Sequence, residues 1–288
     1  MSPNSNKQRN TEIMKTNRKF ILGVCVAVGT LAVTLARADD VMTKEMAKDA
    51  APVVAPAAPP AKNWSVDAGA DYFSEYIFRG VDLLNHNPVA EPHVYLKWNG
   101  FGVYYTGYYG DPGVAGNHFY EEQDFSGDYT VNFLKDQLSL TGGAYGYTYA
   151  DSRDGKDTVE LYGVLAWNWA LLNPKLCINW DVDQFHGGYG QACISHVFDL
   201  SKSLGVKDPL ALTITPSAAL GIDFGYNSLA TQADVNWNDV LLGLTANLQI
   251  NKYLAAHAGV QISVALNSLN DIHQHNAAIA NVGFNIVF

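Results

Sequence analysis

The chain has 288 residues, 28 of them acidic and 18 basic, for a formal charge of −10. A field of that sign repels polyanions, which excludes nucleic acid as a partner and favours cations. Its three cysteines lack the paired CxxC spacing of a zinc site, so no metal centre or cofactor is expected.

The first element is not part of a fold. Lys15, Arg18 and Lys19 precede an apolar run from Phe20 to Leu35 that exits through Ala36-Arg37-Ala38. A positive patch, a short apolar core and an A-x-A exit describe a secretory signal peptide over residues 1–38, cleaved after Ala38. Gly23, Gly29 and Thr30 interrupt the run, which is also short for a membrane-spanning helix. Cys25 sits inside it, in a poor context for lipidation. Cleavage removes six of the 18 basic residues and one of the 28 acids, leaving 12 against 27 and a formal charge of −15. Residues 39–62 follow as an Ala/Pro-rich linker. The stretch from Ala50 to Ala61 has four prolines and no aromatic residue, so it cannot build a core and reads as an extended spacer in the periplasm.

From Trp64 onward the apolar period is two. Trp64, Val66, Ala68, Ala70 and Tyr72 share one face; Ser65, Asp67, Gly69 and Asp71 share the other. The pattern is strongest from Leu210 to Tyr226, where even positions are bulky and odd positions small or polar. It recurs over 63–73, 89–98, 101–110, 122–133, 138–149, 158–169, 176–184, 190–199, 210–226, 237–250, 254–266 and 277–288. These lengths suit tilted membrane strands of about 9–11 residues with overhangs. Short connections, Asn99-Gly100 and Asn251-Lys252, alternate with long polar ones at 74–88, 111–121, 227–236 and 267–276. The 201–209 connection is too long for a short periplasmic turn.

The expected fold over 63–288 is therefore all-β, a closed antiparallel transmembrane β-barrel of about 12 strands. Closure has a physical cause: in hydrocarbon every backbone N–H must be paired within the protein. Trp64, Trp98, Phe133, Trp169 and Phe288 predict an aromatic girdle at the periplasmic interface, and Tyr72, Tyr109, Tyr226 and Trp237 one at the outer interface. Pro92 and Pro216 each remove a ladder donor and should lie at bulges or beyond the membrane band. The alternating last strand ends on Phe288, as expected of a substrate of barrel-assembly machinery, with outer-membrane lipid around the wall.

With the bulky face toward lipid, the other face lines a lumen. Strand one offers Asp67, Asp71 and, if alternation continues, Glu75 and Arg79; strand two offers Glu91, His93, Tyr95 and Lys97. Asn179, Asp181 and Asp183 follow on strand seven, then Asp223, Asp239, Asn247, His257 and Gln261. Such charges persist at membrane depth only when they face water or one another. An open acidic pore and a plugged interior with paired charges both fit. A hairpin centred near residue 85 places Arg79 opposite Glu91. Tyr145, Tyr147 and Tyr149 share the inward face and either line the lumen or cap the wall.

Two cysteines remain after cleavage, and an oxidising compartment permits a bridge. A hairpin centred at residue 185 places Cys177 opposite Cys193, both inward, which predicts a disulfide. No catalytic residues are expected. Gly187-Gly188-Tyr189-Gly190 lacks a following helix, Ser195 and His196 are neighbours on opposite faces, and His273 and His275 read as a solvated loop.

Ser74-Glu75-Tyr76-Ile77-Phe78-Arg79-Gly80 resembles the opening S-x-Y-x-F-R-G stretch of a bacterial family called Gcw_chp. The likeness covers residues 64–110 best, including the hairpin at Asn99-Gly100-Phe101-Gly102-Val103-Tyr104. The resemblance implies an outer-membrane barrel and supplies no substrate. Three functions stay open: a cation-favouring porin-like channel for small hydrophilic solutes, a structural or adhesive barrel that binds a partner through its outer loops, and an outer-membrane enzyme. A non-enzymatic channel is the first expectation.

Overall fold

Residues at alternating positions face opposite sides of a strand, and here that rule is kept around a full circle. The computed structural model describes residues 63–111, 119–151, 155–168, 172–201, 203–227 and 235–288. The expected signal peptide, the Ala/Pro linker and Trp169 lie outside these residues. Twelve long strands form the wall: β1 (Trp64–Phe73), β2 (Val89–Trp98), β3 (Phe101–Gly110), β4 (Tyr120–Phe133), β5 (Leu138–Tyr149) and β6 (Thr158–Trp167). They continue as β7 (Lys175–Asp181), β8 (Gly188–Ser195), β9 (Ala211–Phe224), β10 (Asn236–Gln249), β11 (Leu254–Ala265) and β12 (Ala277–Val287). Each pairs antiparallel with its chain neighbours, and β1 pairs with β12 from Asp67↔Val287 to Phe73↔Asn281. The sheet has no free edge, which is the condition for crossing hydrocarbon by strands. Among the described residues no helix is long and apolar enough to cross a membrane, which bears only on helices.

The wall's two faces differ as alternation requires. Outward positions carry Leu96, Val103, Phe125, Leu140, Ile178, Val260 and Val282, with Val103 59% and Val282 57% exposed. A soluble domain rarely leaves so continuous an apolar surface uncovered. Trp64, Trp98, Phe133 and Phe288 are exposed at the end where the described chain begins and finishes, here the terminal end; Tyr72 and Trp237 are exposed at the opposite, loop end. Inward positions carry Thr106, Asp124, Ser126, Asn179, Thr245 and Gln261, all buried.

At the terminal end the turns are tight. Asn99 (φ 48°) and Gly100 (φ 86°) hold the two-residue primed turn that suits a twisted hairpin. The long 196–210 connection is partly strand, since Phe198 and Asp199 pair with Ile214 and Thr213. Pro216 stays in register with Leu244, and the register shift falls between Leu220 and Ile222 instead. The carbonyl of Pro216 accepts from His196 N just past the end of β8, so its missing N–H costs no full ladder rung. β7 stops at Asp181, short of the expected 184, because the Asp181 carboxylate accepts the Asp183 and Phe185 amides and closes the turn there, while β8 begins at Gly188, two residues before the expected 190.

The largest departure from expectation is residues 74–88. Alternation carried past Phe73 would continue β1 toward Glu75 and Arg79. Instead Ser74 ends the strand by exchanging bonds with Ala280, its N–H to that carbonyl and its Oγ accepting that amide. A small hairpin follows, pairing Ile77 with Asp82 and Phe78 with Val81. Its turn needs positive φ at Arg79 (50°) and Gly80 (79°). A Cβ on Gly80 would also lie 2.1 Å from Leu269 Cδ1, in the short helix α1 (Asn267–Asp271). The loop turns into the barrel and plugs its loop-side half.

Candidate functional site

The plug is seated by residues from many strands. Tyr76 donates to Glu122 Oε2 (2.8 Å) and stacks on Tyr108 with ring centroids 4.9 Å apart. Around it Phe73, Leu84, Val89, Tyr120 and Ile279 form an apolar cluster inside the barrel mouth. Arg79 reaches further down. Its two terminal nitrogens donate to Glu160 Oε1 and Oε2 at 2.8 and 2.7 Å, and neither residue has any exposed surface. Tyr147 also donates to Glu160 (2.8 Å), while Asn238 Nδ2 donates to the Arg79 carbonyl (2.8 Å). The guanidinium lies 4.3 Å from the Tyr226 ring and 4.7 Å from Phe78. Burial opposes the arginine's charge, but the Glu160 carboxylate, Tyr226, Tyr147 and the hydrogen bond to Glu160 together hold the guanidinium above its ordinary pKa.

Several expectations change here. Arg79 is paired with Glu160 rather than Glu91, because the loop bends inward instead of extending the hairpin. Tyr226 sits over Arg79 and so faces inward, away from the outer girdle. Tyr147 and Tyr149 hold the wall carboxylates that seat the plug, Tyr149 donating to Glu122 (3.1 Å), while Tyr145 is buried on the same inward face. Glu122 and Glu160 escaped the sequence reading; the signal was present in the inward alternation of Glu122, Asp124, Ser126 and Asp128 along β4.

Other lumen candidates fall into three groups. On the wall, Asp71 shares a hydrogen bond with His257 Nε2 and has His93 Nδ1 3.9 Å away. Gly69 and Gly283 leave space for these rings: a Cβ there would lie 2.8 Å from His93 Nε2 and 2.5 Å from His257 Nε2. Asp67 accepts from Asn285 (3.2 Å), Asp239 accepts from Tyr189 (3.0 Å), and Glu91 is buried. At the rim, Asp181 and Asp223 cap loops through backbone amides, Asp223 accepting from Tyr226 and Asn227. Outside the lumen, Asp183 is exposed in the β7–β8 loop, and Glu75 meets His86 on the outer surface of the plug. Lys97 is exposed toward the terminal end, 4.7 Å from the Tyr95 ring.

Below the plug some open space remains. A small cavity of about 40 Å³ opens among Tyr95, Lys97, Asp128, Thr141, Tyr162, Cys177 and Asn179. Tyr162 donates to Asp128 Oδ2 at 2.9 Å across it. The expected bridge between Cys177 and Cys193 is absent. Both thiols are free and buried, and the register sets Cys177 against Gln191 and Cys193 against Lys175. Diagonal neighbours of this kind lie about 7–8 Å apart, beyond the ~4 Å Cβ separation a disulfide needs.

On the plug's outer surface Glu75, Asp82 and His86 converge, with one donor atom from each within 4.8 Å of the others. The hydrogen bond to Glu75, aided by the charge of Asp82, raises the His86 pKa above its ordinary value. His273 and His275 are exposed in the loop after α1.

Fold and site thus define a narrow twelve-stranded barrel with a plug made from its first long loop. The chain belongs to the family described as bacterial protein of unknown function (Gcw_chp), whose model matches residues 57–278 and so includes the plug motif. Among solved structures, the KdgM porin in complex with disordered oligogalacturonate has 13% identity and a TM-score of 0.50, covering 78% of this chain and 99% of that one. A second structure of the KdgM porin gives 12% and 0.50 over the same shares. The NanC porin gives 10% and 0.48, covering 77% and 98%. At these identities the likeness is one of fold. No curated protein matches the chain in sequence.

Proposed function

We propose that this chain is a porin-like channel of the bacterial outer membrane, passing small hydrophilic solutes, cations ahead of anions, through a lumen throttled by its own 74–88 loop. One observation carries this reading: a closed barrel whose outer wall is apolar and whose inner wall is polar and acidic, the reverse of a soluble β-sandwich. Asp67, Asp71, Glu91, Asp124, Asp128 and Asp239 face inward, while Arg79 is committed to Glu160. An acidic lining attracts cations and repels anions. The porin fold of the KdgM structures supports the reading. In this reading residues 1–38 direct export, residues 39–62 span the periplasm and the last strand engages the assembly machinery. The longer loops then face outward. The inward carboxylates are taken up by tyrosines, histidines, amides and one arginine, which favours a channel over an enzyme.

Planar-bilayer recording of the refolded barrel tests it. The expected result is small unitary currents with a reversal potential displaced toward the cation in a salt gradient. A second variant, in which a short Gly/Ser turn replaces residues 76–86, should conduct more. Silence from both proteins overturns the channel and leaves the second reading, a structural barrel, which the filled loop-side half favours.

A further inference from the structure

The outer surface of the plug carries a charge cluster that the channel reading does not use. Glu75 lies at the loop's entry, Asp82 closes the small hairpin, and His86 lies just before the return to β2. His86 Nδ1 is 3.1 Å from Glu75 Oε2 and 3.3 Å from Asp82 Oδ2. The carboxylates are mostly buried, at 21% and 14% exposed, whereas the imidazole is 65% exposed. The cluster is held from below and open above. We propose that Glu75, Asp82 and His86 bind a divalent transition cation of the Zn²⁺ class on the outer face of the plug.

Charge is the first argument. Two carboxylates against one imidazole leave the cluster negative in either protonation state of His86. Among the described residues His86 is the only basic side chain paired with Glu75 or Asp82. Arg79, the only arginine or lysine of the loop, is held by Glu160.

Spacing is the second. Tetrahedral ligands at about 2.0 Å from a zinc ion stand about 3.3 Å from each other. The two nitrogen-to-oxygen separations already match that edge, so an ion can enter with little rearrangement. The donor set decides the class of ion. Imidazole suits zinc, nickel and copper, whereas calcium and magnesium prefer oxygen alone.

Preorganisation is the third. Asp82 is fixed by accepting the Leu84 and His86 amides, and its own N–H donates to Gln274 from the loop after α1. Beneath, Tyr76 and Arg79 anchor the same loop to Glu122 and Glu160. Three protein ligands with the imidazole side open leave a fourth position for water or an outside ligand. Because the ligands come from the loop's entry, hairpin and exit, a bound ion staples the plug shut.

The test is calorimetric titration of ZnSO₄ into the mature chain refolded in detergent. One saturable Zn²⁺ per chain is expected, with Ca²⁺ weaker by at least about tenfold. Glu75→Gln and His86→Ala should each weaken zinc by at least about tenfold while keeping the heat-modifiable gel mobility of a folded barrel. No saturable zinc binding overturns the site. So does binding that both variants retain unchanged, which assigns the ion to other histidines; calcium as tight as zinc overturns the assigned class. The readout is independent of conductance, so a silent barrel that binds zinc separates failure of the channel from failure of the site.

Discussion

The two halves of the lumen obey one alternation rule and become different environments. In the loop-side half, Arg79, Glu160, Glu122 and Asp239 are fully or nearly fully buried and each has named partners. In the terminal half, Lys97 is exposed and Asp128 borders open space. Period two decides the polarity of a wall face; it does not decide what fills the space in front of it. The filling comes from a segment with no period at all, and it converts inward charges from pore lining into structural pairs.

That contrast is broken most severely at Arg79. Arg79→Ala leaves the Glu160 carboxylate buried without its cation, which costs about 3–5 kcal/mol for a buried pair. The urea unfolding midpoint of the refolded barrel should fall accordingly. The Arg79→Met/Glu160→Leu double variant should recover most of the loss, because neither charge then remains buried alone. A midpoint unchanged in Arg79→Ala would mean that the plug is not seated as described.

A smaller effect is expected at Gly80, whose φ of 79° disfavours any side chain and whose Cβ would meet Leu269 at 2.1 Å. Gly80→Ala should destabilise by more than about 1 kcal/mol. The cost falls on the plug alone, so the sensitive readout is proteolysis. Wild type should resist trypsin at Arg79, and Gly80→Ala should be cut there while the barrel survives. Equal resistance in the two proteins would show that the turn tolerates the side chain.

The wall was legible in the sequence because its determinants are local. Leu210 to Tyr226 shows its two faces without any partner strand, and Asn99-Gly100 names its own turn. The plug was not legible, and the reason is physical. Glu75 and Arg79 keep the parity of Asp71, so alternation assigns them to the lumen whether or not the chain turns back at Ser74. What seats Arg79 is Glu160, 81 residues away, which no local pattern reveals. The Glu75, Asp82 and His86 cluster escaped for a related cause. Its members are scattered through a loop, and only the small hairpin between Ile77 and Asp82 brings them together.

The smallest expected effect concerns Cys177 and Cys193, where the sequence reading missed the register by one step. Trp180 pairs with Gly188, so the hairpin is centred at residue 184 and not 185. Moving the centre by one residue moves each partner by two. Both side chains therefore keep the inward face, and both are buried at 7% and 5% exposure, yet they become diagonal neighbours. Asp181 causes the offset, since its carboxylate gathers the Asp183 and Phe185 amides and ends β7 early. With no bridge to break, reductant should leave the unfolding midpoint of the mature chain unchanged. Alkylation under denaturing, non-reducing conditions should then modify both cysteines in every chain. A mature chain in which neither thiol reacts would restore the bridge and shift the β7–β8 register by two residues, setting Asn179 opposite Gln191 instead of Tyr189.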